Sequence, residues 1–335
     1  MNDFESSLPH VTIELDEDGN LIDPSTSLPV PSRGVPHFLD RMLSIPSGTT
    51  DIFVFVHGWR NPPQRATAAA CKLFEMVDRL YSSHPQNYPA LGRYRGFYVL
   101  VVWPSLSNPF PSGYRRIRDR AHGMTTGGHA EFILAQLLGY LNTSRQVPRD
   151  LPPTLRTKSG QYLHCVGHSF GGRFLAEAIR VAADPKPPTL SWPWGDKGYQ
   201  YAVDTLLVFQ MAARADDFAG RFSDLLVKAP IGGPIILTFS RFDRALTLWH
   251  RIVEGIPGIG AYGAIQPSGL IKSIELPAVG QDFVHADIGQ VTNVDASWKY
   301  RRGRWVRPEG AHSDIWHPES AHLLLGIAAG ARVSM

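Results

Sequence analysis

Short, continuous apolar runs alternate with segments of helical periodicity along most of this chain. Apolar runs without polar alternation are typical of strands buried on both faces of a parallel sheet. The runs predict strands at Asp51–Val56, Gly96–Trp103, Tyr162–Val166, Asp204–Met211, Pro234–Ser240 and Gln290–Ser297. Apolar spacings of three and four residues predict helices over Gln64–Leu80, Ala130–Leu141, Phe170–Ala182 and Ala215–Val227, and a last helix from about Glu319. This alternation predicts an α/β fold with a mostly parallel central sheet and helices on both faces.

The first 50 residues have a different pattern, with one hairpin and a polar connection. His10–Asp23 contains two apolar segments separated by Asp-Gly, a pair that suits the positive φ of a tight turn. Residues 24–50 are rich in Pro, Ser and Gly and are expected to form a surface connection. We therefore divide the chain into an N-terminal hairpin and connecting segment over residues 1–50, packed on a main domain over residues 51–335.

A Gly-x-Ser-x-Gly motif at Gly167–Gly171 joins a predicted strand directly to a predicted helix. A sharp turn from strand to helix forces its central residue into a strained backbone conformation and requires small neighbours. In a chain with 31 glycines the motif alone is weak evidence, but the strand before it and the amphipathic helix after it are the context of a nucleophile elbow. Ser169 is therefore the candidate nucleophile.

The strand at Asp51–Val56 runs directly into a His57-Gly58 turn. The carboxyl ends of parallel strands lie at one edge of a sheet, so this turn and the elbow are expected to meet. Gly58 would let the backbone turn so that the N–H of Trp59 points to the same place as the N–H of Phe170. Two such donors would form an oxyanion hole, which stabilises negative charge on a substrate oxygen. A structural turn with a packing histidine is the alternative interpretation.

A serine hydroxyl is a poor nucleophile at neutral pH and needs a base, which in turn needs a carboxylate to orient it. Asp243 directly follows the predicted strand Pro234–Ser240 and is the favoured carboxylate. Asp216 and Asp217 follow the preceding strand and remain alternatives. We favour Asp243 because the Asp216-Asp217 pair also makes a good helix start by itself.

His312 is the favoured base among 13 histidines, because it lies in a loop just before the last helix, where this sheet places it. His317 and His322 are interpreted as structural. His168, inside the elbow, is expected to point away from the nucleophile and to pack in the core. The spacing of these histidines with Asp314 matches no tight metal-ligand pattern, so no metal is expected.

Composition and charge give no support for a nucleic-acid-binding, disulfide-rich, membrane or cofactor-binding protein. Hydrophobic content of 43%, charged content of 19% and a net charge of +3 describe an ordinary globular chain and give no argument for nucleic acid. The two cysteines, Cys71 and Cys165, fall in predicted core elements and do not suggest a disulfide scaffold. No signal-peptide core, membrane-spanning run or nucleotide, flavin or metal motif is found. We expect a cytoplasmic protein without a cofactor or membrane partner.

The chain resembles the α/β-hydrolases over about residues 50–332, in its His57-Gly58 strand end, its Ser169 elbow, Thr-Phe-Ser-Arg-Phe-Asp243 and Gly-Ala-His312-Ser-Asp. Its Trp103-Pro104-Ser105 strand end, with the later Tyr114 and Arg118, is similar to that of poorly characterised bacterial serine hydrolases. The resemblance implies a sheet of about eight strands. Lipases often have a large helical cap over the active site. This chain has too few residues between the predicted strands Asp204–Met211 and Pro234–Ser240 to form one there. Cover over the site would come from the loops at 105–120, 185–200 or 250–285.

The resemblance also implies an activity. We expect a serine hydrolase that cleaves a carboxylic ester or thioester through an acyl-enzyme on Ser169, with His312, Asp243 and the N–H groups of Trp59 and Phe170 in the roles above. Aromatic loops favour an acyl substrate with an apolar or aromatic group, and the oligomeric state is open. The alternatives are an acyltransferase or cofactorless lyase with the same triad, and a non-catalytic ligand-binding protein of this fold.

Overall fold

The structure is a computed structural model that describes residues 8–59, 62–108, 110–144, 161–182, 203–228, 230–281, 287–303 and 305–333. Its strands are β1 His10–Leu15, β2 Leu21–Asp23, β3 Leu28–Pro29, β4 Asp51–Val56, β5 Gly96–Val102, β6 Tyr162–His168, β7 Thr205–Phe209, β8 Ile235–Phe239, β9 Ile271–Glu275 and β10 Val291–Asp295. Its α-helices are α1 Val35–Met42, α2 Pro63–Ser83, α3 Pro111–Thr126, α4 Ala130–Ser144, α5 Phe170–Ala182, α6 Ser223–Val227, α7 His250–Glu254, α8 Ile259–Tyr262 and α9 Pro318–Val333.

The described strands form one open, twisted sheet in the order β3-β2-β1-β5-β4-β6-β7-β8-β10-β9. All neighbours from β1 to β9 in this order pair in parallel, and only the β1–β2 and β2–β3 pairs are antiparallel. The expected α/β class and mostly parallel sheet are confirmed, with ten strands rather than about eight. The hairpin of residues 10–23 belongs to this same sheet, because β1 pairs with β5.

Each central strand is buried on both faces, which is why its sequence is continuously apolar. In β4, Ile52, Val54 and Val56 face a core that also contains apolar side chains of α1, α3, α4 and α5. Phe53 and Phe55 face the opposite core, against α2 and α9. The helices therefore cover both faces, and the carboxyl ends of β4, β6, β8 and β10 are left at one edge.

A buried charge cluster holds the last helix against the amino end of β4. The carboxylate of Asp51 is fully buried, and it accepts hydrogen bonds from both terminal nitrogens of Arg332, at 3.0 and 2.8 Å. It also lies 3.0 Å from Nε2 of His164 on the neighbouring strand β6. Burial opposes ionisation, but these partners favour the charged form, and together they hold the pKa of Asp51 below its ordinary value.

Four predicted segments differ from the structure. The surface connection expected over residues 24–50 contains β3 and α1, whose Val35, Phe38 and Leu39 are buried, and the loop expected at 250–285 contains α7, α8 and β9. Residues 105–120 were expected to be loop, but α3 begins at Pro111, because Tyr114, Ile117, Ala121 and Met124 form a buried stripe at helical spacing. The helix expected over Ala215–Val227 is instead a short 3₁₀ turn followed by the five-residue α6. Gly220 adopts a non-helical conformation between them, so the apolar spacing there does not correspond to one helix.

The region between β7 and β8 contains only those short helices, so no large helical cap occurs in the described part of the chain. The loop expected at 185–200 lies outside the described residues. None of the helices described is long and apolar enough to cross a membrane.

Candidate active site

Ser169 lies at a sharp turn between β6 and α5, and its backbone φ is +56°, a left-handed value that is rare for a serine. The turn packs so closely that its glycines cannot carry a side chain. A Cβ on Gly171 would lie 2.0 Å from the carbonyl oxygen of Val56, and one on Gly172 would lie 2.0 Å from Cγ1 of Val208. The sharp strand-to-helix turn predicted from the motif is therefore present, and it lies at the carboxyl edge of the sheet.

His312 comes from the loop between β10 and α9 and meets the elbow at this edge. Its Nε2 lies 2.8 Å from Oγ of Ser169, and its Nδ1 lies 2.7 Å from Oδ2 of Asp243. The three residues are separated by long stretches of sequence but form one continuous hydrogen-bonded series. With Nδ1 protonated, Nε2 has a free lone pair that can accept the serine proton, which is the arrangement a general base requires.

Asp243 is fully buried and well supplied with donors. Its Oδ1 accepts the backbone N–H of Leu246 at 3.0 Å, and its Oδ2 accepts Nε2–H of Gln210 at 3.0 Å as well as the contact from His312. Burial raises the pKa of Asp243 above its ordinary value, and these partners, His312 foremost, act against that shift. The carboxylate is thus fixed in position facing the imidazole.

The alternative carboxylates are engaged elsewhere. Asp216 forms a two-pronged ion pair with Arg214, with both nitrogen–oxygen distances at 3.0 Å. Asp217 accepts the backbone N–H of Arg214 at 2.9 Å and begins the 3₁₀ turn. Of the three aspartates considered from the sequence, the structure therefore brings only Asp243 to His312.

Gln210 was not identified from the sequence. It follows β7, has a backbone φ of +46° and is fully buried, with its amide nitrogen directed at Asp243. A polar residue directly after a buried strand is the one signal that could have indicated it, and that signal also fits many ordinary turns. The side-chain amide of Gln210 donates a hydrogen bond to the Asp243 carboxylate and holds that carboxylate in position.

The His57-Gly58 turn contacts the elbow, as expected. A Cβ on Gly58 would lie 2.8 Å from Cβ of Ser169 and 2.6 Å from Nδ1 of His168, so only glycine fits. The turn therefore places the backbone of residues 58–59 against the serine. Phe170 is the first residue of α5, where an N–H group has no acceptor within the helix. The indole of Trp59 is buried and donates to Oγ of Ser107 at 2.6 Å.

Two buried histidines support this arrangement in their neutral forms. His168 donates from Nε2 to the carbonyl oxygen of His312 at 2.8 Å, and the two rings lie 5.2 Å apart. It is buried as expected for a packing residue, but its contact with His312 was not anticipated. His57 donates from Nδ1 to the carbonyl of Gly58 and accepts the N–H of Trp103 at Nε2. Burial lowers the pKa of His57 to about 4 and that of His168 to about 3.

The remaining candidate histidines have structural partners. His317 lies 2.9 Å from Oδ1 of Asp314, and His322 bonds to the hydroxyl of Tyr88 and, at 2.9 Å, to the carbonyl of Gln281. Within the ranges that the structure describes, no three His, Cys, Asp or Glu side chains are placed to hold a metal ion.

A cleft of about 700 Å³ opens beside the hydrogen-bonded side chains of Ser169, His312 and Asp243, with His312 and Trp59 in its wall. Ser169 itself is fully buried behind the imidazole. The cleft is lined by Trp59, Ala69, Lys72, Arg302, Arg307, Pro308, Glu309, His312, Ser313, Asp314, Trp316 and His317. Apolar rings and charged side chains therefore line the same space.

No protein-family model matches this chain, and no curated protein matches it significantly in sequence.

Proposed function

We propose that this chain is a serine hydrolase of the α/β-hydrolase type that cleaves carboxylic esters or thioesters. The observation that carries the proposal is the continuous hydrogen-bonded series from Oγ of Ser169 through the imidazole of His312 to the carboxylate of Asp243. Its supports are the left-handed backbone of Ser169 and the position of all three residues at the carboxyl edge of a parallel sheet.

The chemistry would proceed in two halves. Oγ of Ser169 attacks the carbonyl carbon while Nε2 of His312 takes its proton, and Asp243 stabilises the imidazolium and keeps it oriented. The tetrahedral oxyanion accepts hydrogen bonds from the N–H groups of Trp59 and Phe170. Its collapse expels the alcohol or thiol, which takes the proton from His312. A water molecule, deprotonated by His312, then attacks the acyl carbon, releases the carboxylic acid and restores the serine.

The direct test is to label the nucleophile. The folded protein is incubated with a fluorophosphonate, and its intact mass is compared with those of Ser169→Ala and Ser313→Ala, the second of which removes the serine next to His312. We expect one adduct on the wild type and on Ser313→Ala, and none on Ser169→Ala. Hydrolysis of a short-chain 4-nitrophenyl ester should be lost in Ser169→Ala alone. A wild type that is folded but neither labelled nor active would support a non-catalytic binding protein instead.

The carboxylate is tested separately. Asp243→Asn keeps the shape of the side chain but would favour the wrong imidazole tautomer, so kcat should fall about a thousandfold or more. Asp216→Asn serves as the control, because Asp216 pairs with Arg214 and does not contact His312. If kcat fell equally in the two variants, or fell only in Asp216→Asn, the assignment of Asp243 would be wrong.

A further inference from the structure

The rim of the cleft beside His312 carries a group of cations that the hydrolytic chemistry does not use. Lys72 comes from α2, and Arg302 and Arg307 come from the loop between β10 and α9. All three side chains are exposed, and all three line the same cleft as His312. Two elements far apart in the sequence thus direct positive charge toward one space.

These cations are not paired with carboxylates in the part of the chain that the structure describes. Other arginines of this protein do form ion pairs with carboxylates. Arg120 lies 2.7 Å from Glu17, and Arg214 lies 3.0 Å from Asp216. An arginine that lines a cleft without such a partner retains its planar, two-pronged geometry for binding a carboxylate or phosphate.

The two acidic residues that line the same cleft are less accessible to a ligand than the three cations are. Both Asp314 and Glu309 are buried, whereas the cations are exposed. Oδ2 of Asp314 accepts the backbone N–H groups of Arg301 and Arg302, at 2.8 and 2.7 Å, and its Oδ1 contacts His317. The accessible charge of the cleft is therefore positive, and its apolar wall consists of the rings of Trp59 and Trp316 with Ala69 and Pro308.

We propose that the substrate carries an anionic group, a carboxylate or a phosphate, which Lys72, Arg302 and Arg307 bind while its acyl carbonyl lies at Ser169. The proposal rests on the hydrolase function proposed above and gives it a substrate class. The apolar part of the substrate lies against the indole rings, between the cationic rim and the triad. Because the cations are exposed, their attraction acts through water and weakens as salt increases.

Two matched pairs of substrates test the proposal. The first pair is 4-nitrophenyl hydrogen glutarate and 4-nitrophenyl pentanoate, which share a leaving group and differ in a carboxylate on the acyl chain. The second is pentanoyl-4′-phosphopantetheine and pentanoyl-pantetheine, which share the acyl chain and the thiol chain and differ in one terminal phosphate. The measured quantity is the ratio of kcat/KM for the anionic member to that for the neutral one. We expect a ratio of about ten in at least one pair, the magnitude that several exposed ion pairs supply together.

The variants are Arg302→Gln/Arg307→Gln and, independently, Lys72→Glu. The double variant should lower the ratio about fivefold and the charge reversal should lower it at least as far, since each exposed pair contributes up to about a fivefold effect. Raising the salt from about 0.05 M to about 0.5 M should lower the wild-type ratio in the same direction. Arg93→Gln is the matched control, because Arg93 is an exposed arginine three residues before β5, at the opposite edge of the sheet. Its ratio should equal that of the wild type.

The outcomes separate the two proposals and the two ligand sources. A preference confined to the glutarate ester indicates a carboxylate on the acyl side, and one confined to the phosphopantetheine thioester indicates phosphate on the leaving-group side. If the neutral ester is cleaved and Ser169 is labelled but neither pair shows a preference, the anionic substrate is refuted and the hydrolase stands. A preference that persists in both rim variants also refutes it. If no ester is cleaved and no serine is labelled, both proposals fail.

Discussion

Acid should destabilise the folded chain through two buried histidines, His57 and His168. Both side chains are fully buried and neutral, and both use their ring nitrogens in the neutral form. Protonation of His57 would place an N–H group at Nε2 against the N–H of Trp103, which now donates to it at 3.1 Å. Protonation of His168 would add an N–H at Nδ1, directly beside Gly58, where there is no room even for a Cβ.

The size of the effect follows from the folded and unfolded pKa values. The pKa of His57 falls from 6.5 to about 4 on folding, and that of His168 falls from 6.5 to about 3. Below pH 6.5 the unfolded chain therefore binds protons that the folded chain does not. Above pH 6.5 the histidines are neutral in both states and do not lower the free energy of unfolding. Between pH 6.5 and the folded pKa values the free energy of unfolding falls as the pH falls. At about pH 5 each histidine lowers the free energy of unfolding by about 2 kcal/mol relative to about pH 7.5.

Carboxylates titrate in the same range, so single-histidine variants are needed to isolate this effect. Urea unfolding, followed by tryptophan fluorescence, gives the free energy of unfolding at both pH values for the wild type, His57→Gln and His168→Gln. Glutamine does not titrate, so each variant should lose about 2 kcal/mol less than the wild type between the two pH values. His37→Gln is the control, since His37 is exposed. If both variants lose as much stability on acidification as the wild type does, the two buried histidines are not the cause of the acid destabilisation.

Three further substitutions test the packing at the elbow and the charge cluster at the amino end of β4. Gly172→Ala should destabilise the fold by about 1–3 kcal/mol through the clash with Cγ1 of Val208, and Val208→Ala in the same chain should recover part of that loss. If the double variant loses as much unfolding free energy as the two single variants together, the Cβ at position 172 does not clash with Val208 on β7. Arg332→Met should cost about 3–5 kcal/mol because it leaves the Asp51 carboxylate buried without its cation. A change in the unfolding midpoint too small to measure would contradict this.

The central strands could be predicted from the sequence because burial on both faces leaves a strand no polar positions. The runs at Asp51–Val56 and Tyr162–Val166 correspond to β4 and β6 within two residues. The helix α3 was missed for a local reason. Its first turns contain Pro111, Gly113 and several arginines, so its composition resembles a loop, and only the four-residue buried stripe from Tyr114 marks it as a helix.

The candidate triad was predictable because the parallel sheet constrains where strand ends can meet. Ser169, Asp243 and His312 each follow a strand, in the chain order that this sheet requires, and the structure brings them within hydrogen-bond distance. Gln210 shows the limit of that reasoning. Its role depends on the direction of one amide group after β7, and no spacing in the sequence encodes that direction.

The cationic rim could not be predicted either, and for a different reason. Lys72 lies on an ordinary amphipathic helix, and Arg302 and Arg307 lie in a loop with no periodicity, so each is a typical surface residue in its local context. Their convergence exists only because α2 and the loop before α9 lie side by side at the edge of the sheet where β4 and β10 end. The triad of such a sheet follows from its topology, whereas the substrate it accepts depends on which loops border the cleft.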